Sequence, residues 1–172
     1  MRHFLTLVVS TTMAGLSLIG CGSDSDGSPN TGGSGGGSSA AQCVGNNAEF
    51  TAAEFAAQTT PDKACSSASD VSTVCQNNMP LIGGQCGKAC LTMGNQAECV
   101  ASCIQDGLSS TSEPLSQDCL TCYLADINCA KTNCLSMCGL DPTSDLCRDC
   151  RTDSGCVAEF YACSGLPEPS PP

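Results

Sequence analysis

The sequence predicts a small all-α domain held together by disulfides. Three observations carry that expectation. Cysteine is 17 of 172 residues, the level of a disulfide scaffold in an exported chain. Aromatic content is 3% with no Trp, so the core buries little area per residue and covalent staples are the expected remedy. Thirteen of the cysteines fall between Cys86 and Cys163, most of them three or four residues from another, a spacing that puts two side chains on one helix face.

Residues 1–20 read as an export signal. Met1-Arg2-His3 is a short basic start, and Phe4 to Ile19 is apolar with interspersed Ser and Thr, too short for a comfortable membrane span. The run ends Leu18-Ile19-Gly20-Cys21, which resembles the bacterial lipobox, Leu-x-Gly/Ala-Cys. That resemblance implies cleavage before Cys21 and acylation of its sulfur with palmitate-type chains, so membrane lipid becomes a partner through Cys21. It places the chain in the cell envelope. Gly22 stands where Asp causes inner-membrane retention, which points to the outer membrane. Removing Cys21 from the count leaves 16 cysteines, an even number, as a fully oxidised domain requires.

Residues 21–42 form the lipidated Cys and a linker. Thirteen of the 21 residues after Cys21 are Gly or Ser, the composition of a flexible tether with a reach of about 25 Å. Asp24-Ser25-Asp26-Gly27 lacks the third acidic ligand and closing Glu of a calcium loop.

Residues 43–165 are the expected Cys-rich helical domain. Thr51-Ala52-Ala53-Glu54 is a capping box opening an Ala-rich helix with Phe55, and Thr60-Pro61 can open a second helix. Val71, Val74 and Cys75 share a helical face. Three hairpins are expected next. In the first, over 85–107, Met93-Gly94-Asn95 makes the turn, Asn95 to Glu98 has cap spacing and Gly107 ends the return. The second covers 113–139, with Leu115, Cys119, Cys122 and Tyr123 as one stripe. The third covers 142–165 and turns at Asp153-Ser154-Gly155. Cys119 and Cys147, and Cys122 and Cys150, are each 28 residues apart, a degenerate repeat that suggests stacked two-helix units. The Pro-rich tail, residues 166–172, cannot be helical and is expected to be extended and disordered.

The chain as a whole resembles the Cys-rich lipoproteins of Gram-negative bacteria, and its paired segments are similar to twin Cys-x3-Cys helical hairpins. Only the first segment keeps that spacing on both helices. The resemblance implies a stapled-hairpin fold and carries no activity.

A bridge map follows from geometry. Residues equidistant from the turn of an antiparallel hairpin face each other. The expected pairs are Cys86–Cys103 and Cys90–Cys99, Cys119–Cys134 and Cys122–Cys129, and Cys147–Cys163 and Cys150–Cys156. Cys138 remains with Cys43, Cys65 and Cys75, its partner among them left open. One bridge must then tie the N-terminal lobe to the second hairpin.

Composition narrows function. The only histidine is His3, in the expected signal, which excludes His-based triads and His-ligated metals from the mature chain. Net charge is −11, with 17 acidic against 6 basic residues, so no nucleic-acid partner is expected. Cys119-Leu-Thr-Cys122 and Cys147-Arg-Asp-Cys150 have zinc-knuckle and thiol-redox spacing. No strand-like run precedes either pair, and export favours oxidation. Gly83-Gly84-Gln85-Cys86-Gly87-Lys88-Ala89 has Ile82 and Ala89 where a phosphate loop needs Gly and Ser/Thr. After residue 55 the only aromatics are Tyr123, Phe160 and Tyr161, poor provision for a sugar platform; with Val157, Phe160 and Tyr161 have core spacing. The expectation is a non-enzymatic structural or protein-binding module of the envelope, with no cofactor, metal ligand or catalytic residue. The alternative is a periplasmic thiol-redox or metal-binding protein using the Cys-x-x-Cys pairs.

Overall fold

The computed structural model describes residues 41–170. The expected signal, Cys21, nearly all of the tether and the last two tail residues lie outside them. The described residues fold as seven α-helices: α1 (Ala52–Gln58), α2 (Ala68–Gln76), α3 (Met79–Ala89), α4 (Gln96–Gly107), α5 (Gln117–Cys138), α6 (Asp145–Asp153) and α7 (Cys156–Ser164), with a 3-10 turn at Gly45–Asn47. The only strand-like feature among them is an isolated bridge between Gln42 and Thr51. The fold is therefore all-α.

Local chemistry sets the helix starts. Thr51 and Glu54 form the capping box, with Thr51 N–H donating to Glu54 Oε2 at 2.9 Å and Glu54 N–H to Thr51 Oγ1 at 3.2 Å. Ser67, Asn78, Ser116 and Ser144 cap α2, α3, α5 and α6 through their side chains. Asn95 precedes α4 but does not cap it; its amide donates instead to Glu98 Oε2 at 3.2 Å.

Thr60-Pro61 does not open a helix. The backbone of 60–65 is spent on the C-terminal carbonyls of α7 and on Gly165. Thr60 N–H donates to Gly165 O, Ala64 N–H to Cys163 O, Cys65 N–H to Ser164 O, and Lys63 Nζ to Ala162 O. These carbonyls have no partner inside α7, so the loop satisfies them, and Lys63 adds a favourable charge there. Gly165 has φ +74 and stands so close to Lys63 that a Cβ would lie 2.4 Å from the Lys63 Cβ. Only glycine fits both demands.

The first hairpin forms as expected, with α3 and α4 joined by Cys86–Cys103 and Cys90–Cys99. The second and third do not. α5 runs for 22 residues without reversing. No Gly or Pro occurs between Gln117 and Cys138, so nothing breaks the helix at the expected turn. Its one irregularity is a non-helical Cys134, one turn from the end. The expected Cys119–Cys134, Cys122–Cys129, Cys147–Cys163 and Cys150–Cys156 pairs are not formed, and Cys138 has no bridge to the N-terminal lobe. The observed pairs are Cys138–Cys147, Cys134–Cys150, Cys129–Cys156 and Cys122–Cys163. Going back along α5 from Cys138 by four, five and seven residues goes forward from Cys147 by three, six and seven. α6 and α7 therefore both run antiparallel to α5. The break at Ser154-Gly155, where Gly155 has φ +80, redirects the chain without reversing it.

The N-terminal lobe is closed by Cys43–Cys75 and tied to α5 by Cys65–Cys119. Asp70, 1% exposed, seals the same junction. It accepts from Ser116 N–H at 2.7 Å, Ser116 Oγ at 2.8 Å and Ser67 Oγ at 2.6 Å, joining the caps of α2 and α5. All 16 cysteines of the described residues are bridged, with Cα separations of 4.5–5.8 Å, within the usual range.

Half-cystines make up ten of the twenty buried apolar residues, replacing the aromatics the chain lacks. Phe55, Ile104, Val100 and Val74 fill the rest of the centre. The tail departs from expectation. Residues 166–170 are not helical, but Leu166 is 6% exposed within the core, and Ser170 N–H donates to Glu49 at 2.6 Å.

Candidate functional site

The cysteines singled out by sequence from Cys43 onward are bridge members. Each Cys-x-x-Cys pair is split: Cys119 goes to Cys65 and Cys122 to Cys163, while Cys147 goes to Cys138 and Cys150 to Cys134. A dithiol redox site requires its two sulfurs to bond each other, and a thiolate metal site requires them reduced. Neither is met in this arrangement. Among the described residues, no group of three His, Cys, Asp or Glu side chains is placed to share a metal ion.

The feature that sequence did not reveal is a cleft of about 840 Å³ running along α5. α3 forms one wall through Gly83, Gly84, Gly87 and Lys88, and α6 and α7 form the other through Arg151, Val157, Phe160 and Tyr161. Tyr123, Asp126, Ile127 and Lys131 line the α5 side. Leu166 and Glu168 bring the tail to one end.

The glycines that superficially suggested a phosphate loop are interior positions of α3, where they allow close packing. A Cβ on Gly87 would lie 2.9 Å from Ile127, and one on Gly84 would lie 2.6 Å from Pro142. α5 and the 139–143 loop therefore approach α3 more closely than side chains would permit.

The aromatics gather here as well. Tyr123 and Phe160 have ring centroids 4.9 Å apart, and Phe160 and Tyr161 5.2 Å apart. Phe160 and Tyr161 are partly buried against the core, as their spacing suggested, but they also face the cleft. Burial raises the Tyr123 phenol above its usual range, helped by repulsion from Tyr161, Asp126 and Asp70. Tyr161 is raised in the same way, by burial first and then by Glu168.

A charged pair sits among these rings. Arg151 Nη2 donates to both Asp126 oxygens, at 2.8 and 2.7 Å, with the two side chains 22% and 12% exposed. Burial pushes the Asp126 carboxyl up, and Arg151 offsets that only in part. Arg151 Nε is buried with no partner.

The charge distribution singles this cleft out. The described residues carry five cations, and four of them, Lys88, Lys131, Arg148 and Arg151, line it. Four carboxylates, Asp126, Asp149, Asp153 and Glu168, line it too, so its formal charge is zero. The other described residues hold one cation and eleven carboxylates.

No protein-family model, curated protein or solved structure matches the chain.

Proposed function

We propose that the chain is an envelope lipoprotein, anchored through acylated Cys21, whose bridged helical domain is held out on a Gly/Ser tether as a structural or protein-binding module. One observation carries the reading. The sixteen cysteines from Cys43 onward pair among themselves, which leaves Cys21 available for an anchor role and supports the lipobox reading of Leu18-Ile19-Gly20-Cys21. No described helix is long and apolar enough to cross a membrane. The splitting of both Cys-x-x-Cys pairs favours this module over a thiol-redox or metal-binding protein. Gly22 after the acylated residue favours the outer membrane.

The test is expression of the full chain in a Gram-negative host supplied with labelled palmitate. The wild type incorporates label and stays with outer membranes after a carbonate wash. Cys21→Ala loses both label and membrane association. A Cys21→Ala chain that still fractionates with membranes contradicts the reading.

A further inference from the structure

Lys88 and Lys131 lie within one helical turn of the contact between Gly87 and Ile127, at the seam of α3 and α5. Neither meets a carboxylate. Lys88 Nζ donates to Leu140 O at 3.2 Å, and Lys131 Nζ donates to the Gln96 side-chain oxygen. Arg148 and Arg151, by contrast, are engaged in ion pairs with Asp145, Asp149 and Asp126. Two ammonium groups outside any ion pair, Lys88 with the charge of Asp141 nearby, therefore line one cleft of a domain whose remaining surface repels anions.

From Lys131 back to Tyr123 the cleft follows α5 for about 12 Å at helical rise. Apart from the Asp126–Arg151 pair, whose charges answer each other, this stretch is apolar, with Ile127 and Tyr123 on one side and Val157 and Phe160 on the other. Glu168 lines the cleft from the tail, where Leu166 also enters it, and Asp153 lies on its α6 side. A volume of about 840 Å³ is in the range of small-molecule sites.

We propose that this cleft binds a single-chain amphipathic carboxylate, its headgroup at Lys88 and Lys131 and its apolar body along Ile127, Tyr123, Val157 and Phe160. Charge complementarity selects the occupant. A cationic amphiphile would meet the two lysines, and a neutral one would leave them unused. Glu168 disfavours the reverse orientation, with the carboxylate toward the tail.

The test uses the oxidised chain from Ser38 onward, a compact unit containing the whole described core and all eight bridges. The outcome is thus independent of acylation at Cys21. Dodecanoate, dodecanol and dodecyltrimethylammonium, each below its aggregation limit, are titrated calorimetrically. Dodecanoate is expected to bind one per chain, with dodecanol about tenfold weaker and the cation weaker still. Lys88→Gln with Lys131→Gln lowers dodecanoate affinity about tenfold, to the level of the alcohol, and leaves dodecanol unchanged. Ala130 of α5 also lines the cleft, and Ala130→Phe, which adds bulk to that wall, weakens acid and alcohol alike. Equal affinity for the three amphiphiles overturns the proposal. So does full acid affinity in the double lysine variant, or the absence of saturable binding. Self-association that Ala130→Phe abolishes, with no saturable dodecanoate binding, would assign the cleft to a second copy of the chain and overturn it as well.

Discussion

At Arg151 one guanidinium nitrogen serves both oxygens of Asp126 while Nε stays buried and unbonded. Such a pair is costly to split, because removing one partner leaves the other's charge under apolar walls. Arg151→Met is expected to lower unfolding free energy in urea by about 3 kcal/mol. Adding Asp126→Leu should restore most of it. Strict additivity of the two changes would show that the charges do not depend on each other. Glu54 and Asp126 respond to pH with opposite signs. Hydrogen bonds from the Thr51 backbone and side chain hold Glu54 below its ordinary 4.5, so its stabilisation is complete above that value. It is lost as pH falls through the lower folded value. Burial holds Asp126 up, so its contribution favours the fold at low pH and is lost as pH rises through its folded value. Acid should therefore fray the start of α1 first. The expected sign in amide exchange is early loss of protection over 54–58 while α5 stays protected. Simultaneous loss in both would contradict this assignment.

α5 shows what was legible in the sequence and what was not. The helical nature of the segment, its buried Cys119–Cys122–Tyr123 stripe and its end at Gly139 were readable from spacing, while Leu115, also buried, lies just before the helix. The turn placed within it came from reading cysteine clusters as hairpin arms. The missing breaker between Gln117 and Cys138 was the stronger signal, since a reversal needs residues that stop a helix. Matching equal steps on either side of a turn was sound geometry applied to the wrong turn. It describes Cys86–Cys103 and Cys90–Cys99, and it describes the four α5 bridges once α6 and α7 are taken as one arm. The cleft was illegible because its walls come from α3, α5, α6, α7 and the tail, and no local period reports that meeting. Leu166 was hidden by the prolines that follow it. On α3 the glycines give a sharp contrast. Gly83 has space for a Cβ, with Ile127 at 3.6 Å, so Gly83→Ala should gain about 0.5–1 kcal/mol of helix stability. Gly84→Ala forces Pro142 away and should lose about 1 kcal/mol despite the same propensity gain. Thermal unfolding of the two variants checks the pair, and equal shifts would contradict the packing described here.

For the whole domain, cysteine serves as core and as covalent frame together. Few large side chains are available, so bridges fill the interior and limit the unfolded chain. Cys65–Cys119, with 54 residues of separation, is the only bridge joining the N-terminal lobe to α5. The four bridges along α5 fix the wall of the cleft opposite α3. Leu140 and Leu146, 86% and 72% exposed, leave apolar surface around the α5–α6 turn. A frame of this kind suits presentation of a surface, and it withholds the paired thiols that redox or metal chemistry would use. Peptide mapping of the unreduced protein tests that claim most directly. Digestion without reductant, with free thiols blocked beforehand, should yield the linkages Cys65–Cys119, Cys122–Cys163, Cys134–Cys150 and Cys138–Cys147, and no blocked cysteine from Cys43 onward. A Cys119–Cys122 or Cys147–Cys150 linkage, or blocked thiols at those positions, would contradict the account and return the Cys-x-x-Cys pairs to chemistry.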